Sequence, residues 1–312
     1  MIPTFPTFKR LDIEDKVEVQ AFTERFAPYS DFNFVSLVCY DTSGDVIVSF
    51  LHGNLVLRLR DYMTDDPFYT FLGKERVEET IEALLLRSTA ENLKPILRLV
   101  PAVGIAPSFE QVEERFSVAA DNDGADYLLS VERLIALNIG ELKSKKKRIE
   151  EFKRAHPSYK VGELDIQSPS VAQKIEGLCK SWQTKKTRSE EDVKKEFSAI
   201  RRCLTLSEHL DLVTLGIFMD DHLVAFNIHE ILTNGHCMVH FGKAVPDIRG
   251  LGDALESETA VMMQRMNCSV MNYQQDLGLP GLRKAKQSWM PVGLLKKFTI
   301  GMKEGCNCKL NA

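Results

Sequence analysis

Asn272-Tyr-Gln-Gln-Asp-Leu-Gly-Leu-Pro-Gly-Leu-Arg-Lys-Ala-Lys286, followed by Gln287-Ser-Trp-Met-Pro291, gathers one carboxylate, three cations and three chain-bending residues in fifteen positions. The carboxylate is Asp276, the cations are Arg283, Lys284 and Lys286, and the bends fall at Gly278, Pro280 and Gly281. A short apolar run at 268–271 precedes the stretch, so it reads as a strand end, a turn and a short helix. Pro280 suits the first turn of that helix, where a missing N–H has no partner to lose. Arg283 and Lys286 stand three apart and share a helix face. Asp276 either orients an acceptor amine or pairs with Arg283, and the basic face is either a site wall or a solvated surface.

Upstream, segments 212–219, 223–232 and 237–243 predict an antiparallel meander with turns at Asp220-Asp221 and Asn234-Gly235. Helical patterns fill 170–183, 189–207 and 252–266, the second opened by Ser189 with Asp192 three residues on. A strand is expected at 159–166 and a last apolar segment at 292–302. Val245-Pro-Asp-Ile-Arg-Gly-Leu-Gly-Asp-Ala-Leu255 joins the third meander strand to the long helix. Glycines there let a backbone approach a ligand, and free amides at a helix start favour an anion. Arg249, Gly250, Gly252, Ala254 and the nearby Lys243 are therefore candidates to bind an anionic donor. Asp253 in the first turn competes with such a ligand, or simply caps the helix.

The first half follows the same order. Residues 11–27 carry a rough helical stripe, and Asn33-Phe-Val-Ser-Leu-Val-Cys-Tyr40 predicts a strand from its β-branched and aromatic residues. Segments 46–51 and 55–59 complete a meander, followed by a helix at 74–88, a strand at 95–100, a short helix at 108–115 and a closing pair at 116–119 and 127–131. Asp61-Tyr-Met-Thr-Asp-Asp-Pro67 then falls between the third strand and the helix, with three aspartates and no glycine. That is hostile to an anion.

At 312 residues the chain is long enough for two domains, and 44% hydrophobic with 27% charged residues is a globular composition. No apolar run approaches the roughly 20 residues that span a bilayer, and Met1–Pro6 lacks a secretory pattern, so a cytoplasmic location is expected. Seven scattered cysteines predict reduced thiols, and Cys306-Asn-Cys308 offers too few ligands for a metal, so no metal site is expected. Residues 1–142 hold 13 Lys+Arg against 24 Asp+Glu, while residues 143–312 hold 27 against 20. An imbalance of −11 against +7 points to an anion meeting the second half. Residues 142–156 form a basic helix bridging the halves, with five cations in the six positions Lys143 to Arg148. Lys145, Lys146, Lys147 and Arg148 are the expected docking set.

The pattern Asn272-x-x-Gln-Asp-Leu-Gly-x-x-Gly-Leu-Arg-Lys-Ala-Lys-x-Ser-x-x-Pro291 resembles the hallmark of the phosphatidylglycerol lysyltransferase C-terminal family. The resemblance implies an α/β (α+β) fold of two tandem GNAT-like acyltransferase domains, each with a mixed, mainly antiparallel sheet flanked by helices, related to the Fem aminoacyltransferases. Residues 1–141 would be a GNAT-like copy without a donor site, and residues 142–312 the copy holding the active site. Arg249-x-x-Gly252-x-Ala254 fits the pattern with which GNAT enzymes bind the CoA pyrophosphate. His240-Phe-Gly-Lys-Ala244 with Arg249-Gly250 resembles the family's strand-to-helix loop, with Gly242 where an acidic residue often stands.

An aminoacyl or acyl transferase is thereby implied, with charged tRNA as the leading donor. CoA or acyl-CoA is an alternative donor. A non-catalytic module binding a nucleotide or an anionic phospholipid at a membrane surface is a further alternative. Acyl transfer to an amine needs a base and oxyanion donors. His229, Glu230, His236 and His240 are the available bases. Asp276, Arg283 and His240 are the catalytic candidates, and Asn272, Gln275 and Lys286 the substrate-binding ones.

Overall fold

The computed structural model describes residues 1–183 and 190–303. The expected cap at Ser189 and the Cys306-Asn-Cys308 tail lie outside the described residues. In chain order the elements are β1 (Lys9–Arg10), α1 (Lys16–Thr23), α2 (Phe34–Tyr40), β2 (Ile47–Leu51), β3 (Asn54–Arg60), β4 (Pro67–Leu72), α3 (Val77–Ala90), β5 (Ile96–Pro101), α4 (Ala102–Ile105), α5 (Phe109–Arg115) and β6 (Phe116–Ser130). There follow α6 (Val131–Ala136), α7 (Leu142–Ala155), β7 (Lys160–Glu163), α8 (Pro169–Gln183), α9 (Glu190–Thr205), β8 (Leu212–Met219), β9 (His222–Ile231), β10 (His236–Ala244), α10 (Leu251–Arg265), β11 (Val270–Asn272), α11 (Pro280–Gln287) and β12 (Gly293–Met302).

Two compact units divide these elements. The first takes residues 1–32, 43–125 and the described residues from 295, and the second takes 33–42 and 126–294. Instead of a single cut near 141, the second unit thus includes α2 and the end of β6.

The first unit runs β1–β2–β3–β4 antiparallel, β4 parallel to β5, and β5 antiparallel to β12. Its core is built from residues such as Val56, Tyr69, Phe71, Ile81, Leu84 and Leu97. Three expectations are corrected here. Asn33–Tyr40 is not a strand: Asn33 caps helix α2, its side chain accepting from the Ser36 amide at 3.0 Å. Every residue from Phe34 to Cys39 is buried, so the helix has no polar face to reveal its period. Asp61–Pro67 does not precede the long helix: residues 61–66 form the β3–β4 turn and Pro67 opens β4. There the Asp61 carboxylate accepts from the Met63 and Thr64 amides at 2.9 and 2.8 Å. The segment before α3 is Gly73-Lys74-Glu75-Arg76, and the first helical turn that follows holds Glu78 and Glu79. The expected closing pair is one continuous strand, β6.

The second unit matches its predicted order closely. β7, β8, β9 and β10 are antiparallel neighbours, β11 lies parallel to β10, and the end of β6 pairs antiparallel with β11. Leu215, Ile217, Ala225, Leu255, Met263 and Met271 meet Leu142, Ile149 and Phe152 of α7 in one core. Two irregularities in β10 prepare the site. A bulge between Val239 and Phe241 breaks the register with β9. Its pairing with β11 ends at Met238↔Asn272, after which no β10–β11 register pair follows.

Candidate functional site

The hallmark loop begins where β11 ends. Gln274, Leu277 and Gly278 all take positive φ, which folds the chain back on itself. Asp276 is left with no exposed side-chain surface. It accepts from the Tyr127 hydroxyl at 2.6 Å, from Nε and Nη2 of Arg283 at 2.8 and 2.9 Å, and from the Gly278 amide at 2.9 Å. Burial alone would push this carboxyl up, but the Arg283 guanidinium, the Tyr127 hydroxyl and the Gly278 amide together hold it below the usual value. Of the two readings of Asp276, the ion pair with Arg283 is the one observed.

The remaining hallmark residues brace the same loop. Buried Lys286 donates to the Tyr273 carbonyl and, at 2.8 Å, to the Gln275 carbonyl, tying α11 to the turn. Buried Asn272 accepts from the Gln274 amide at 2.7 Å and donates to Asp126 at 3.4 Å. The Gln274 side chain donates to the Val239 carbonyl at 2.8 Å, which stitches the loop to β10 beyond their last paired residues. The side chains of Asn272 and Lys286 therefore face the fold, and Gln275 enters these contacts through its backbone carbonyl.

The bulge in β10 turns His240 and Phe241 toward α2. Phe241 stacks against Tyr40 with centroids 5.6 Å apart, and His240 Nδ1 lies 3.5 Å from the Ser36 hydroxyl. His240 Nε2 is 3.3 Å from Glu230, which also accepts from the Asn33 side chain at 2.6 Å. All four side chains are buried. Neighbouring His229 is pushed down to about 3 by burial and by the proximity of His240, so it stays neutral. His236 sits apart, its Nδ1 3.1 Å from the Asn234 carbonyl. Ser36 as a partner of His240, and Asn33 as a partner of Glu230, were invisible because about 200 residues separate each pair in sequence.

The presumed donor residues do not converge. Lys243 is buried and donates to Glu196 of α9 at 2.5 Å, whereas Arg249 is largely exposed and meets Glu151 of α7 at 3.3 Å. Gly250 caps α10 with φ +82°. A Cβ there would run into the Arg148 carbonyl oxygen and lie 3.1 Å from Phe152 Cβ. Gly250→Ala is expected to lower the melting temperature by several degrees, since both the positive φ and the contact oppose a side chain. A melt indistinguishable from the native one would contradict this packing.

Helix α7 is pressed against the start of α10. Asp253 accepts from Lys145 at 3.2 Å and from Arg148 at 2.6 Å. Lys145 is buried, with its Nζ 3.8 Å above the Trp289 ring, and burial draws its pKa down despite Asp253. Farther along, Lys153 donates to Glu258 at 2.8 Å and the Tyr159 hydroxyl to the same carboxylate at 3.2 Å. The expected docking set is thus split. Lys145 and Arg148 face α10, while Lys146 and Lys147, with Lys143, are exposed.

Glu256 of α10 escaped the sequence reading. Its Oε1 accepts from Asn227 at 3.3 Å, Oε2 is buried, and burial pushes the carboxyl up to about 7 against the opposing pull of Asn227 and Lys145. Among the described residues no three His, Cys, Asp or Glu side chains gather as a metal would require. None of the described helices is long and apolar enough to cross a membrane.

A CoA pyrophosphate brought to the start of α10 would meet residues of α7 there. The helix start that should receive it carries a carboxylate, Asp253, and a backbone carbonyl, that of Arg148, at its capping glycine. The residues present do not fit CoA in that mode.

Comparisons with known proteins follow the same lines. The model of the family described as "Phosphatidylglycerol lysyltransferase, C-terminal" matches residues 24–301. A conserved protein of unknown function from Bacteroides thetaiotaomicron superposes with TM-score 0.83 at 24% identity, covering 97% of this chain and 100% of its own. A C-terminal domain described as that of a "Putative Lysylphosphatidylglycerol Synthetase" from Agrobacterium fabrum gives TM-score 0.64 at 12% identity, covering 94% and 93%. FemX gives 0.60 at 10% identity, covering 95% and 97%. A search of curated proteins by sequence finds no match. The fold is that of the GNAT-like tandem acyltransferases, as the hallmark implied.

Proposed function

We propose that this chain, which belongs to the phosphatidylglycerol lysyltransferase C-terminal family, moves an aminoacyl group from charged tRNA to an amine or hydroxyl acceptor. Family and fold support an acyl- or aminoacyl-transfer role. The observation that carries the choice of donor is the two-sided α7. One face is anchored on α10 through Lys145, Arg148 and Lys153, and Lys143, Lys146 and Lys147 remain exposed. Exposed cations on an anchored helix, in the half with the positive balance, are suited to a polyphosphate backbone. In the reaction the acceptor attacks the ester carbonyl, the ester C–O bond breaks, and the ribose hydroxyl leaves with a proton. His240, held between Glu230 and Ser36, is the base we assign. Its ring has no exposed surface, so an acceptor would have to enter beside α2.

The test uses charged tRNA carrying a labelled amino acid and vesicles containing an anionic phospholipid. Label is expected to move to the acceptor in the native protein. Reversing Lys143, Lys146 and Lys147 to glutamate is expected to weaken tRNA binding by at least about tenfold and to flatten its salt dependence by roughly two to three charges. Unchanged affinity and salt slope in the triple variant would end the docking assignment.

A further inference from the structure

We infer that Asp253, Lys145 and Arg148 are specificity-determining residues that close the helix start of the second unit to acyl carriers that would seat a phosphate there, such as acyl-CoA. The inference rests on the transfer reading above and narrows it, because it concerns which donor this unit refuses. Three observations carry it. First, the carboxylate of Asp253 sits in the first turn of α10, where a donor phosphate would have to bring its charge, and like charges there repel. Second, that carboxylate is held by two cations from α7, Lys145 at 3.2 Å and Arg148 at 2.6 Å. Third, the Arg148 carbonyl oxygen lies so close to Gly250 that even a methyl group has no room.

Displacing α7 would be costly. Leu142, Ile149 and Phe152 are buried in the core of the unit, and Lys145 is pinned against Trp289. A phosphate would therefore have to expel a carboxylate from its two cations and lift a helix from its apolar seat. An ester donor whose phosphates lie along the exposed face of α7 has neither obstacle. Asp253 acts as an internal substitute for the anion that this helix start would otherwise attract.

The experiment is run on the full chain with acetyl-CoA and with inorganic phosphate as probes. Neither is expected to shift the native melting curve saturably at millimolar concentration. Asp253→Ser releases both cations from their carboxylate, and its melt is expected to rise saturably with phosphate. Absence of that gain in a folded variant would remove Asp253 from its assigned part. Hydrogen exchange on the native protein needs no variant: amides of 142–155 are expected to keep the same protection with and without acetyl-CoA. Saturable acetyl-CoA binding, or loss of α7 protection on adding it, would overturn the inference. Label transfer from charged tRNA is read separately. Refusal of acetyl-CoA together with failure of tRNA transfer would leave the closure intact and sink the donor assignment alone.

Discussion

Arg283→Ala is expected to destabilise the fold by about 2–3 kcal/mol, because it strands the Asp276 carboxylate without its principal partner. Removing one member of a buried ion pair costs roughly 3–5 kcal/mol. The lower figure follows from the position of Arg283, whose side chain is 37% exposed while that of Asp276 is fully buried. The double variant with Asp276→Asn is expected to recover part of the loss, since an amide leaves no charge to strand. Urea melts of the three variants form a cycle that isolates the pair. Acid gives an independent reading. Asp276 is held below its ordinary value, so it contributes stability above the usual carboxylate range and loses it as pH falls through its folded value. That part of the acid limb should shrink in Asp276→Asn. A stable Arg283→Ala, or a double variant no better than the single, would mean the pair does not brace the loop.

Glu256→Gln should act in the opposite direction. Burial raises this carboxyl from 4.5 to about 7, so its protonated form suits the native state. A group raised in this way gives its full stability below pH 4.5 and loses it as pH rises to about 7. By the conversion of 1.36 kcal/mol per unit, the native protein should surrender about 3 kcal/mol across that window on account of Glu256. Glutamine keeps a partner for Asn227 and cannot ionise. The variant should therefore be more stable than the native protein above pH 7 and show a flatter profile between pH 5 and 7. Melts at closely spaced pH values decide it, and parallel profiles for the two proteins would refute the assignment.

Much of the second unit could be read from the chain because each element carries its own signal. Strands β8, β9 and β10 are largely apolar runs set apart by turns at Asp220-Asp221 and Asn234-Gly235, and α10 is capped by a glycine. α2 hid because its interior is buried on every side, leaving only the Asn33 cap as a clue. β4 hid behind the three aspartates of the preceding turn, which made the whole stretch look like a loop. At the site, the spacing of Asp276 and Arg283 allowed an ion pair but could not choose it over a free carboxylate. The contacts of Asp253 with Lys145 and Arg148 span more than 100 positions, so no local pattern announces them. The three-residue step from 145 to 148 on one helix face, set against an acidic residue where an anion was expected, is the faint trace they leave.

The membership of α2 in the second unit bears on how this chain can be divided. A fragment beginning at 142 looks natural, since the basic helix opens there and a full set of meander strands follows. Such a piece lacks residues 33–42 and 126–141, both of which belong to the second unit. It would bare Met238, His240 and Phe241 where α2 had covered them, and leave the β11 edge without its β6 neighbour. The half that carries the hallmark is therefore not separable by a single cut: its autonomy depends on two segments borrowed from upstream.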